Sequence, residues 1–299
     1  MFGKSQLCNV QVSDTRGVFM TSPNIVLDWS PGQTLHDALQ TQISTSTRSD
    51  IGFVTSAGRI IRVHAGDIPA GSADAFGSSS IAAHSFLGLS ADEQILTAIE
   101  LSESVELAVA TKLGVVKRII ADYPAKDDFE IINLKDGDRL VGAAQCSDND
   151  RMVFIASDSQ LLTFDASSVR PQGRAAGGVA GINLDESANL IFFGVIAAAQ
   201  LDTAMVVTAA CSSQALPGTD AGSAKLSALS EFPTKGRATG GVRSHKFLKG
   251  EDVLYFAWAG SDTPKLATKD GKPITANLEP AKRDASGEKQ SSVIASAGI

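Results

Sequence analysis

Arginines set in a repeated glycine frame are the residues of this chain best placed to do chemistry. Gly173-Arg174-Ala175-Ala176-Gly177-Gly178-Val179 recurs as Gly236-Arg237-Ala238-Thr239-Gly240-Gly241-Val242. The copies agree at six of seven positions and lie 63 residues apart (236 − 173). Cations beside glycine loops suit phosphate: the side chains neutralise it, and backbone amides at glycines approach it closely. Arg170 flanks the first copy. The second copy opens the one long stretch of single-signed charge, Lys235, Arg237, Arg243, Lys246 and Lys249, with no acid between its ends. Lys112, Lys117 and Arg118 form another basic cluster, and Lys282-Arg283 lies near the end of the chain.

Other chemistries find no pattern. His36, His64, His84 and His245 show neither His-x-x-x-His nor His-x-x-Glu-His spacing, and no Gly-x-Ser-x-Gly elbow or Walker-type phosphate loop exists. No catalytic residue is assigned, and Tyr123 and Tyr255 sit in no nucleophile motif. Cys8, Cys146 and Cys211 have no pairing or metal-ligand spacing, which reads as reduced and cytoplasmic. The pairs Asp127-Asp128 and Asp148, Asp150 read as solvated loop, so the expectation is no metal site and no cofactor. No signal peptide opens the chain, and no run of about 18 apolar residues could span a membrane. Met1 stands almost directly before a strand, which reads as an artificial start or an internal boundary.

The elements that must carry the arginines are hairpins. An apolar strand, a polar turn and a second strand appear at 51–63, 107–120, 152–164 and 265–274, with weaker copies at 10–19 and 205–216. Turn positions Gly17, Gly58, Gly114, Gln160, Gln214 and Gly271 are separated by 41, 56, 46, 54 and 57 residues. Six units of about fifty residues have the size of propeller blades. Glycine at the turn supplies positive φ without a Cβ penalty, so the Gln160 and Gln214 units should turn differently. The 27 glycines suit an all-β chain.

The repeat Thr-x-x-Gly-x-x-x-Arg, with Pro171-Gln172-Gly173-Arg174 through Gly178-Val179-Ala180-Gly181-Ile182-Asn183-Leu184, resembles the C-terminal domain of type IIA topoisomerase A subunits, the DNA gyrase and topoisomerase IV family. The resemblance runs over nearly the whole chain and is strongest from about 105 to 250. It implies a six-bladed β-pinwheel of four-stranded blades whose rim binds and bends double-stranded DNA. It also implies two partners, an N-terminal breakage–reunion domain that carries the cleaving tyrosine and a separate ATPase subunit. The family's gyrase-A box, Gln-Arg-Arg-Gly-Gly-Lys-Gly, is missing here, which tilts the reading toward a topoisomerase IV-like domain that bends DNA without a full wrap.

On that reading the blades are roughly 1–50, 51–104, 105–150, 151–203, 204–260 and 261–299. Ile25 to Gly32 reads as a strand and turn with Trp29 in the core, and Thr41 to Asp50 as a loop. The loop 72–80 replaces a Gly-Arg loop without any basic residue. Lys135-Asp136-Gly137-Asp138 is a turn. An insertion near Thr219 to Ser227 explains the 63-residue interval, and the last blade pairs with the N-terminal strand to close the ring. The net charge of −7 opposes DNA binding unless the cations are segregated. Residues 1–100 hold 5 basic and 9 acidic side chains, 101–200 hold 9 and 14, and 201–299 hold 12 and 10. The last third is +2 and the rest −9, which places a DNA-facing arc at blades four to six. The candidate DNA contacts are Arg170, Arg174, Lys235, Arg237, Arg243, Lys246, Lys112, Lys117, Arg118 and Arg283. The alternative is a propeller that binds a protein partner, with DNA binding weak or lost. The expected location is cytoplasmic, associated with the nucleoid.

Overall fold

The computed structural model describes residues 7–13, 17–21, 39–68, 86–101, 106–216, 218–261, 264–269, 272–274 and 278–298. Trp29, the 72–80 loop, Gly271, His36 and His84 lie outside them. The hairpins expected at 10–19, 51–63, 107–120, 152–164 and 265–274 form; the one expected at 205–216 does not, since the second strand of that unit is β17 at 223–228. The first sheet holds β1 (Leu7–Ser13), β2 (Gly17–Thr21) and β3 (Leu39–Ser46). The second holds β4 (Asp50–Thr55), β5 (Arg59–His64), β6 (Ile95–Glu100) and β9 (Asp128–Glu130). The third holds β7 (Glu106–Thr111), β8 (Val115–Ile119), β10 (Leu140–Cys146), β13 (Pro171–Gln172) and β14 (Val179–Ala180). The fourth holds β11 (Arg151–Ala156), β12 (Gln160–Asp165), β15 (Leu190–Ile196) and β18 (Val242–Arg243). The fifth holds β16 (Ala204–Cys211), β17 (Ser223–Ala228), β19 (Val253–Ser261) and β22 (Glu288–Lys289). The sixth holds β20 (Lys265–Ala267), β21 (Pro273–Ile274) and β23 (Ser296–Gly298).

This is an all-β, propeller-like arrangement. Neighbouring sheets meet through β3, β6, β10, β15 and β19 in turn, and β23 lies against β3. Four sheets have four or more strands, but the first and last have three each among the described residues, so the uniform six-by-four disc is not met. Among the described residues β23 pairs with β20, and it lies beside β3 of the first sheet. The 41–50 loop is corrected too, since Thr41–Ser46 belongs to β3.

The continuous apolar run Met152 to Ala156 shows why the sheets stack. In β11, Met152 and Phe154 pack toward Ala108 and Ala110 of the third sheet, whereas Val153 and Ile155 pack toward Val206 and Ala210 of the fifth. A strand covered on both faces has no polar side, so it does not alternate in sequence. The core is thus a series of apolar layers between sheets.

The outer strand of each complete sheet comes from further along the chain. After the hairpin β7–β8, the chain returns as β9 to finish the second sheet. Likewise β14 completes the third, β18 the fourth and β22 the fifth. The residue just after each outer strand then donates a backbone N–H to the turn of the hairpin the strand has joined. Ile131 bonds Gly58 O at 2.9 Å, Gly181 bonds Gly114 O at 2.9 Å, Ser244 bonds Ser159 O at 2.7 Å and Gln290 bonds Gly222 O at 2.9 Å.

Those bonds correct the turn alignment. Gly58 and Gly114 have positive φ as predicted, but Ser159 (φ 72°), not Gln160, holds the equivalent place. In the fifth sheet the turn residue is Gly222, not Gln214, and the insertion lies between Cys211 and Gly222. The interval from Ser159 to Gly222 is 63 residues (222 − 159), the same spacing that separates the two Gly-Arg copies. The Lys135–Asp138 turn forms as predicted, with Gly137 at φ 76°.

Candidate nucleic-acid interface

The two Gly-Arg copies occupy equivalent places, and a third loop joins them. Each loop docks on the segment following the neighbouring outer strand through one repeated bond. Asn133 N–H donates to Ala176 O (3.3 Å), Asn183 N–H to Thr239 O (3.0 Å) and Lys246 N–H to Ala285 O (3.0 Å). Counting back two residues from each acceptor gives Arg174, Arg237 and Arg283. Three successive loops therefore carry an arginine at one structural position, spaced along the outer edges of the third, fourth and fifth sheets.

The second glycine of each pair is there for packing. A Cβ on Gly178 would lie 2.7 Å from Val116 O, on Gly241 2.5 Å from Leu161 O, and on Gly287 2.8 Å from Ala224 O. These three backbones run directly beneath the loops, so a side chain has no room. Gly173 and Gly240 have nothing within 4 Å. The glycine signal thus fixes how the loop sits on the sheet, and the arginine is what the loop presents.

Lys117 is where the sequence expectation fails most clearly. It is fully buried, and its Nζ donates to Ile131 O, Arg174 O and Ala176 O, each at 2.8 Å. Burial, with the Arg174 charge adding to it, pulls its pKa down to about 8. Arg118 is buried as well; it bonds Asp148 (2.7 Å), Glu106 (2.5 Å) and the carbonyls of Ala166 and Val169. Neither can touch an external phosphate, because both side chains are buried inside the fold. Lys225, which sequence reasoning passed over, repeats the Lys117 arrangement. Its Nζ donates to Lys282 O (3.0 Å), Arg283 O (2.5 Å) and Ala285 O (3.2 Å), and burial pulls its pKa down to about 8. It stands three residues after Gly222, as Lys117 stands three after Gly114; only the misplaced insertion hid that register.

The fourth sheet has Leu162 at this place, three residues after Ser159, buried and with no donor to offer. There Lys235 holds the loop from outside, donating to Gly240 O (2.8 Å) and Gly241 O (3.2 Å). Arg237 is half-buried and donates to Ala180 O (2.6 Å). Arg170, Arg243, Lys246 and Lys249 are exposed, and Arg283 is half-buried. Lys112 stands apart in the β7–β8 turn, beside Arg139.

The exposed pair Arg243 and Lys246 flanks a buried anchor. Ser159 Oγ donates to His245 O (2.7 Å) and accepts from His245 N–H (3.0 Å). The His245 ring lies between Thr208 Oγ1 (2.9 Å) and Ser223 Oγ (3.2 Å), and Ser223 donates onward to Glu251 (2.9 Å). With Ser223 donating to the carboxylate, ring Nε2 donates to Ser223 Oγ. Burial takes its pKa down to about 4.

Arg174 has different surroundings. Its guanidinium lies over the Phe129 ring, 5.8 Å from the centroid. The loop and the β9 edge enclose a groove of about 840 Å3 lined also by Ile120, Asp122, Lys126, Asp128, Glu130 and Asn133. As to catalysis, the described residues contain no cluster of three potential metal ligands. Burial raises both Tyr123 and Tyr255 to about 12, which disfavours a nucleophilic phenolate. No helix among the described residues is long and apolar enough to cross a membrane.

A family model described as the DNA gyrase C-terminal domain, beta-propeller, matches residues 51–102, 130–147, 150–197 and 218–257, more than half of the chain. The chain is 30% identical over 229 residues to the DNA gyrase A protein of Mycolicibacterium smegmatis, covering 74% of this chain and 25% of that protein. It is 29% identical over 283 residues to that of a Nocardioides species, covering 85% and 31%. It therefore spans about a quarter to a third of these relatives. The fold is similar to a C-terminal domain of DNA topoisomerase IV (TM-score 0.77, 20% identity, 98% of this chain and 90% of that one). It is also similar to a DNA gyrase A C-terminal domain (TM-score 0.66, 17% identity, 98% and 99%). The match of over half the chain, together with the repeated loop geometry, shows that the chain belongs to the DNA gyrase C-terminal β-propeller domain family.

Proposed function

We propose that the outer edge of the sheets binds and bends duplex DNA and presents it to the catalytic core of a type IIA topoisomerase, formed by a breakage–reunion domain and an ATPase subunit. In this reading the sheets are the blades of a pinwheel whose outer edge carries the duplex. The observation that carries it is the equivalent placement of arginines in successive loops, continued by the acid-free run from Lys235 to Lys249. Arg237, Arg243, Lys246 and Arg283 are the contacts, with Lys235 holding the central loop. Such contacts meet phosphates along a curved path, so they read shape and deformability rather than bases. Counterion release makes the affinity fall steeply with salt. The domain supplies no catalytic group, and it works with chromosomal DNA in the cytoplasm.

A gel shift on duplexes of 40 and 150 base pairs tests it. Tighter binding of the longer duplex, weakened by added salt, is expected; no shift of either duplex at low salt would refute it.

A further inference from the structure

We propose that a duplex on this rim follows only the stretch from the 236–241 loop to the 282–287 loop, and leaves it before the Arg174 loop. This rests on the DNA-binding reading above. The three loops are equivalent in backbone but not in charge. Residues 122–130, along the edge of the second sheet, carry Asp122, Asp127, Asp128 and Glu130 against the single Lys126, and all five are exposed. Three of those acids line the groove next to Arg174, whose own guanidinium is turned onto Phe129. Lys117 and Arg118 of the third sheet are buried and unavailable.

At the next loop the balance reverses. Residues 235–249 carry five cations and no acid, and 282–289 carry Lys282, Arg283 and Lys289 against Asp284 and Glu288. Like charge close to a phosphate path is repelled within about 10 Å at moderate ionic strength. The second-sheet edge therefore closes the path that the fourth and fifth sheets open. A short path of this kind bends DNA over an arc and leaves the rest of the ring free. It also accounts for a net negative domain in which a positive surface persists.

The experiment compares the intact domain with Arg237→Ala, Arg174→Ala and the exposed triple Asp122→Asn/Asp127→Asn/Glu130→Gln, on a fluorescent 150-base-pair duplex across a salt series. Arg237→Ala is expected to flatten the plot of log K against log salt by about 0.9, one phosphate contact. Arg174→Ala is expected to leave the plot unchanged. The neutralised triple is expected to bind roughly tenfold tighter at low salt, as the path lengthens. A loss in Arg174→Ala equal to that in Arg237→Ala, or no gain in the triple, would overturn the confined path while leaving DNA binding intact. Failure of the unmodified domain and the triple to bind at low salt would overturn both.

Discussion

Lys117 and Lys225 are two copies of one clasp: each buries its ammonium among three backbone carbonyls, two or more of them in the loop that carries the arginine. An ammonium has three donors, and each lysine has three acceptors within reach, so the match is complete. The positive charge that a sequence reader assigns to the surface instead holds Arg174 and Arg283 in place from beneath. Replacing Lys225 with Met keeps most of the buried stem and removes three hydrogen bonds: Lys282 O keeps Ala285 N–H and Ala285 O keeps Lys246 N–H, while Arg283 O loses its bond. The expected loss is about 2–4 kcal/mol, read as a lower urea midpoint. A Lys225→Met domain as stable as the original would show that the clasp is incidental.

The two glycines of one loop should behave oppositely. Gly241→Ala sets a methyl against the Leu161 backbone, with O, C and N all within 2.7 Å, and this strand cannot yield without losing its ladder. A cost of about 2–3 kcal/mol is expected. Gly240→Ala meets nothing within 4 Å and should lie within about 0.5 kcal/mol of the parent. Thermal melts of the pair measure this, and equal melting temperatures would contradict it.

Ser159 combines strain with two hydrogen bonds. Its φ of 72° is unfavourable for any residue with a Cβ, while its Oγ is bonded at both ends to the His245 backbone. Ser159→Ala keeps the strain and loses the bonds; Ser159→Gly loses both. The glycine variant should therefore be the more stable of the two by about 1 kcal/mol. Chemical denaturation of the two variants gives the order directly, and the reverse order would show that backbone freedom outweighs strain here.

His245 gives the domain an acid limit. Its folded pKa of about 4 lies below the ordinary 6.5, so the unfolded chain binds the proton first. Its contribution is complete above pH 6.5 and is lost as pH falls through 4. The window should remove roughly 3 kcal/mol, and His245→Gln should lack that part of the slope between about pH 6.5 and 4. Parallel stability–pH curves for parent and variant would rule the assignment out.

The sequence made the hairpins legible because strands buried on both faces read as unbroken apolar runs, as at Met152 to Ala156. The Gly-Arg frame was legible as a repeat, but not its reason, since close approach of Gly178 to Val116 or Gly241 to Leu161 exists only after folding. The outer strands were hidden because two-residue segments such as β14 and β18 have no period to detect. Lys117 and Lys225 were misread or passed over because lysine is ordinarily exposed, and only a preformed set of carbonyls reverses that. The Ser159 turn was shifted by one residue because serine rarely takes positive φ.

The most direct test of the account is the salt dependence of duplex binding for the domain and for Arg237→Ala/Arg243→Ala/Lys246→Ala. These three side chains lie on the acid-free stretch and take no part in the buried anchor. The parent should bind a 150-base-pair duplex with a steep negative slope of log K against log salt, and the triple variant's slope should be shallower by about 2.7, three contacts at roughly 0.9 each. Identical slopes, or no binding by the parent at low salt, would contradict a DNA-binding rim.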